Sequence, residues 1–189
     1  MSIFPVFLKL AGRRVLVVGG GPVAAGKLHA LVDAQADVTV VAPEVVDAIA
    51  SAPVRIERRE FRAEDVEGIW YVVAAAPPEV NREVAAAAHA RGVFVNAVDD
   101  IENASAYAGA VLRRAGITIA LSSDGEAPAL VGLMREALEE VLPDDLEMWV
   151  ATAKDARQRW LSEGVPMEQR RPLLFEALWK LYENRGVRL

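Results

Sequence analysis

The sequence predicts an α/β fold: a parallel sheet with helices on both faces, then a strand-plus-helix segment and a helical C-terminal region. Three observations predict it. Short β-branched apolar runs alternate with helix-patterned segments through residues 14–97, the arrangement of consecutive βαβ units. The first run, Arg14-Val15-Leu16-Val17-Val18, ends in Gly19-Gly20-Gly21 and opens directly into a helix-like segment. After Asp100 the pattern changes to two strand-like runs and then amphipathic helical segments.

Taken in order, residues 4–9 read as a short edge strand or arm leading to a turn at Gly12. Residues 14–18 are the first core strand. The helix over 23–35 carries Val23, Leu28, Leu31 and Val32 on one face. Residues 37–42 form the second strand, which Pro43 ends. A short helix over 44–52 and a third strand over 54–57 follow. The mixed-sign run Glu57-Arg58-Arg59-Glu60 reads as a solvated strand end. Residues 69–75 are apolar enough to be buried on both faces. Pro77-Pro78 starts a helix to about residue 90, closed by Arg91-Gly92. Residues 93–97 are the next strand. Residues 108–113 and 116–121, separated by Arg114-Ala115, read as a hairpin. Residues 122–126 are a loop, Pro128 opens a helix to 142, and Pro143 breaks it. Residues 144–163 and 166–184 read as two more helices.

Composition bounds the function. The chain has 189 residues, 53% hydrophobic and 25% charged, as a folded globular protein does. A net charge of −6 and the lack of a basic block argue against nucleic-acid binding. There is no cysteine, so disulfides, thiolate metal sites and cysteine nucleophiles are excluded, and metal-ligand spacing is absent as well. The apolar runs are too short to span a bilayer, and residues 1–7 lack a leader pattern, so a soluble cytoplasmic protein is expected. His29 and His89 sit in helix-patterned segments, away from strand ends. Ser122 and Ser123 lack a triad partner.

The glycine run matches G-x-G-x-x-G/A, the turn of Rossmann-like dinucleotide-binding units. Gly19 permits the tight turn, and Gly21 lets a pyrophosphate approach the backbone. Ala24 takes the third small position, with Gly20, Pro22 and Val23 completing the expected cradle. The second strand ends at Ala42-Pro43. Glu44 follows, either to bind the adenosine ribose or to sit in the first turn of the next helix. No arginine follows at once, which favours NAD over NADP. Ligands of such sheets bind beyond the carboxyl ends of the strands, where Ala75-Ala76 offers a surface for a flat ligand. Asn96-Ala97-Val98-Asp99-Asp100 supplies carboxylates there. Asp99 is placed either to accept a proton or to cap a turn.

These residues resemble a known family. Phe4-Pro5-Val6-Phe7-Leu8-Lys9-Leu10, then Val17-Val18-Gly19-Gly20-Gly21 with Ala24 and Lys27, is similar to the start of the precorrin-2 dehydrogenase and sirohydrochlorin ferrochelatase module of siroheme synthase. Asn96-Ala97-Val98-Asp99 resembles its Asn-x-Val-Asp element, and 122–128 its Ser-rich loop before a helix. The resemblance implies NAD-dependent oxidation of precorrin-2 to sirohydrochlorin, with insertion of ferrous iron as a further step in this family. It puts the essential aspartate on Asp99 and implies a homodimer. The expected division is then a Rossmann domain over 1–112, a dimerisation region over 113–143 and a helical region over 144–189. Asn96, Arg113, Arg114, Ser122 and Ser123 are the expected substrate contacts, and Lys27 and Arg135 are further cations for a polycarboxylate. The chain departs from the family pattern at Ala75-Ala76-Pro77, which lacks a hydroxyl, at Ala127 and at Gln35-Ala36. Two alternatives stand beside this reading: a chelatase without dehydrogenase activity, and a non-catalytic NAD-sensing dimer that binds a protein partner through its helical tail.

Overall fold

Five of the apolar runs pair side by side in the computed structural model, which describes residues 3–98 and 100–183. Strands β1 (Arg14–Val18), β2 (Asp37–Val41), β3 (Arg55–Glu57), β4 (Tyr71–Ala74) and β5 (Phe94–Ala97) form one parallel sheet in the order β3-β2-β1-β4-β5. The expected α/β, Rossmann-like architecture is what the chain adopts. The order reverses between β1 and β4, which creates a crevice at their carboxyl ends.

Alternation along β1 shows how the layers assemble. Val15 and Val17 point to one face and join Leu28 and Leu31 of helix α1 (Pro22–Asp33). Leu16 and Val18 point to the other and join Val84, Ala85 and Ala88 of helix α3 (Pro78–Ala90). Val15, Leu16 and Val17 are at most 1% exposed. Burial of each such side chain contributes roughly 1.5–3 kcal/mol. A strand apolar at every position is therefore needed where both faces are covered.

The structure moves several boundaries. Residues 4–9 make no strand: Phe4, Val6, Phe7 and Leu8 are exposed in an irregular arm, and only Leu10 is buried. Helix α2 is a single turn, Asp47–Ala50. The β3-to-β4 connection carries a 3₁₀ turn, Ala63–Val66, that no periodicity announces.

The chain divides into two compact units, residues 1–108 with 124–126, and residues 109–123 with 127–189. In the second, β6 (Ala110–Arg114) and β7 (Ile117–Leu121) form the expected antiparallel hairpin, but Arg114 belongs to the strand. The turn is Ala115-Gly116, with φ of +53° and +79°. Two left-handed residues suit the twist of a two-residue hairpin, and alanine gives no sequence sign of that conformation. Helices α4 (Pro128–Val141), α5 (Leu146–Ser162) and α6 (Met167–Glu183) complete this unit. No described helix is long and apolar enough to cross a membrane.

Candidate functional site

The site grows from the end of β1. Gly19 has φ +120°, and a Cβ there would run into the Ala75 carbonyl oxygen. A Cβ on Gly20 would run into the Glu44 carbonyl oxygen. The Gly19 N–H donates to the Val41 carbonyl at 3.0 Å, and the Gly20 carbonyl accepts from Val46 N–H at 2.9 Å. These two glycines serve the fold, letting the backbone after β1 pass between the chain leaving β2 and the chain leaving β4.

Gly21 differs. Its φ is an ordinary −84°, and a Cβ would meet nothing within 4 Å. It is the N-cap of α1 and offers no side-chain cap. Pro22 brings no N–H, and the Val23 and Ala24 N–H groups have no acceptor within the helix. Open space at the Gly21 Cβ position, at the positive end of a helix, is the arrangement that suits an anion. Ala24, fully buried against the α1-side layer, lets the helix lie close to β1.

The second wall follows β4. Ala75 N–H donates to the Val18 carbonyl at 2.8 Å, and Ala76 N–H donates to Asn81 Oδ1 at 2.9 Å. Asn81 is 5% exposed, and its own N–H donates to the Pro77 carbonyl. A buried helix amide thus holds the loop that lines the crevice. Sequence reading missed Asn81, because a polar residue in a helix pattern reads as solvated. The available signal was its place in the turn after Pro77-Pro78, within reach of loop N–H groups.

At the β2 end, Ala42 is buried and its N–H donates to the Glu57 carbonyl at 3.2 Å, while Pro43 and Glu44 are exposed. Asp47, not Glu44, occupies the first turn of α2. At the β5 end, Asn96 is 6% exposed and its Nδ2 donates to the Ala106 carbonyl at 3.1 Å. Its Oδ1 is buried without a partner among the described residues. An unmet buried acceptor costs about 1–3 kcal/mol. Asp100 is a turn cap, accepting from the Asn103 backbone N–H at 3.2 Å and from its Nδ2 at 2.8 Å. Asp99, the expected base, lies outside the described residues.

One unit therefore collects the glycine cradle, the Ala42-to-Glu44 strand end, the Ala75-Ala76 wall and Asn96. Lys27 lies partly buried on α1 of the same unit, while Arg113, Arg114, Ser122, Ser123 and Arg135 belong to the second unit. Arg114 reaches the Leu142 carbonyl at 3.4 Å and Asp144 at 3.5 Å, so it ties β6 to the segment after α4. Arg113 and Ser122 are exposed. Ser123 Oγ accepts from Ala127 N–H at 2.9 Å, closing the loop before α4. Arg135 pairs with Glu136 and Glu139 on its own helix. His29 and His89 are exposed on α1 and α3. Among the described residues no group of three or more His, Cys, Asp or Glu could hold a metal ion.

Residues 6–110 match the family model described as "Putative NAD(P)-binding". The siroheme synthase of Psychromonas ingrahamii is 38% identical over 164 residues, covering 84% of this chain and 35% of that protein. The siroheme synthase of Neisseria meningitidis serogroup C is 41% identical over 151 residues, covering 77% and 32%. The chain thus spans about a third of the length of these curated relatives. Among solved structures, one titled "SirC, precorrin-2 dehydrogenase" superimposes with a TM-score of 0.70 at 25% identity, covering 92% of this chain and 88% of the other.

Proposed function

The chain belongs to the NAD(P)-binding family whose model it matches, and from that premise we propose that it is an NAD-dependent precorrin-2 dehydrogenase, forming sirohydrochlorin on the way to siroheme. The observation that carries the reading is the open space at Gly21, set at the strand-order reversal of a sheet whose β5 leads into Asp99. The similarity to siroheme synthases and to the SirC structure supports the choice of substrate.

The residues present fit a dinucleotide. The α1 N-terminus would hold its pyrophosphate, and Glu44, exposed beyond the end of β2, would bind an unphosphorylated adenosine ribose. Ala75 and Ala76 offer a small-residue wall to a flat ring. When bound, NAD supplies the acceptor for a hydride. Asp99 takes the proton that leaves the substrate carbon, and much of the rate comes from holding a large planar substrate in place. Insertion of ferrous iron, as a second substrate, belongs to the same reading, with Asp99 taking pyrrole protons.

The reading also makes the protein a cytoplasmic homodimer. Support for the dimer comes from α4, where Leu130, Leu133, Met134 and Val141 are all exposed. Their spacing puts them on one stripe of the helix.

The test follows absorbance of NADH and sirohydrochlorin together, with purified protein, enzymatically made precorrin-2 and NAD. Both should appear in equal amounts. Asp99→Ala should abolish turnover and leave NAD binding nearly intact. Unchanged turnover in that variant removes Asp99 from the chemistry. No NADH from a protein that binds NAD moves the reading to the chelatase or the sensing dimer.

A further inference from the structure

We propose that Asn96 orients the nicotinamide: its Oδ1 accepts an N–H from the cofactor's carboxamide. The proposal rests on the dinucleotide reading above and moves Asn96 from the substrate to the cofactor.

The orientation of the Asn96 amide is settled by its neighbour. The Ala106 carbonyl can only accept, so the Asn96 group 3.1 Å from it is the NH₂, and Oδ1 faces the other way. Oδ1 is the buried side-chain polar atom left without a partner among the described residues. Buried acceptors are almost always paired, and an exception asks for a use.

The amide is also held before any ligand arrives. Ser105 and Ala106 N–H groups donate to the Val95 carbonyl at 2.9 and 3.0 Å, and Val95 N–H donates to Ser105 Oγ at 3.0 Å. The segment that carries the Ala106 carbonyl is therefore pinned along the free edge of β5. A positioning group needs that kind of support.

Its place in the sheet suits the nicotinamide end. Asn96 stands opposite Val73 of β4, and Val73 points into the α1-side layer that also contains Ala75, Val98 and Ala106. Cross-strand neighbours in register share a face. With the pyrophosphate at the start of α1 and the adenosine toward β2, the rest of the dinucleotide extends over β4 toward β5. Asn96 lies two strands from β1, roughly 10 Å away. A carboxamide presents two N–H donors at the end of a slender group, whereas the N–H groups at the centre of a tetrapyrrole are ringed by the macrocycle.

The experiment measures binding of NAD and of 3-acetylpyridine adenine dinucleotide, whose acetyl group keeps the carbonyl and lacks the N–H. Binding is read rather than turnover, because the acetyl group also changes the redox potential of the ring. The unaltered protein should bind the analogue about tenfold more weakly than NAD, the size of one lost hydrogen bond to a buried acceptor. Asn96→Leu should bind both dinucleotides equally and more weakly than the unaltered protein binds NAD. Equal binding of NAD and analogue by the unaltered protein overturns the proposal and leaves the dinucleotide reading standing, whether or not the leucine variant folds. Discrimination that survives in Asn96→Leu overturns it too, as does a variant changed only in its KM for the tetrapyrrole. Failure to bind either dinucleotide overturns the dinucleotide reading itself.

Discussion

Gly19, Gly20 and Gly21 stand side by side and answer to different demands. A methyl on Gly20 collides with the Glu44 backbone, which cannot swing away as a side chain would. Gly20→Ala should therefore lose several kcal/mol of stability, of the order seen for overpacking a rigid site. Gly21→Ala meets nothing within 4 Å and needs no unusual φ. Its cost should stay near 1 kcal/mol, the difference between glycine and alanine at an N-cap. The same methyl would stand where the pyrophosphate must come, so Gly21→Ala should melt almost normally and bind NAD at least tenfold more weakly. Thermal melts and NAD titration on the two variants check this. Normal NAD binding by Gly21→Ala would put the phosphates elsewhere.

At the scale of elements, the connection from β3 to β4 carries a single 3₁₀ turn in place of a crossover helix. Part of the β1–β3 face is left as a cavity of about 320 Å³ lined by Arg14, Thr39, Arg55, Glu57 and Asp65, among others. An ion-pair brace holds the connection. Arg59 grips both oxygens of Asp65 at 2.7 and 2.8 Å and also pairs with Glu57, and Asp65 accepts the Arg62 backbone N–H at 2.8 Å. Burial alone would raise the Asp65 pKa, but the bonds from Arg59 and Arg62 and the arginine charges outweigh it and hold the carboxyl below its ordinary 3.8. A carboxyl depressed in the folded state adds stability that is present above 3.8 and lost as pH falls through the folded value. Asp65→Asn should be less stable than the natural chain at pH 7 by about 1 kcal/mol, a modest figure because the pair is only partly buried. The gap should narrow as pH falls below 3.8 and close only below the depressed folded value, where both carry a neutral side chain. Denaturant titrations at a series of pH values from 7 downward measure it, and a gap that does not narrow at all below 3.8 would mean the brace acts through shape rather than charge.

For the whole molecule, the test is assembly. Leu133 is 64% exposed and Val141 78%, on the same stripe of α4 as Leu130 and Met134. Exposed apolar stripes of this kind mark interaction surfaces. Light scattering should give about twice the 20.4 kDa chain mass for the natural protein and the single-chain mass for Leu133→Arg, with helix content unchanged. A monomeric natural chain would remove the homodimer.

The sequence by itself determined what depends on neighbours along the chain. Val15 to Val18 and residues 71–74 are apolar at nearly every position, which suits only strands covered on both faces, and the glycine run declared the turn and the helix that follows. Tertiary structure decided what depends on contacts between distant residues. Gly20 needs its bare backbone because Glu44 packs there, and Asn81 is buried because the Ala76 N–H needs an acceptor. Arg114 left its expected turn for the strand because Ala115 takes a left-handed conformation that its side chain does not advertise. The unpaired oxygen of Asn96 exists only because Ala106, ten residues on, folds back along β5 and claims the other end of the amide. Local pattern reports which faces are apolar. Which polar atoms lose their water, and which then find partners, is settled only when the segments close on one another.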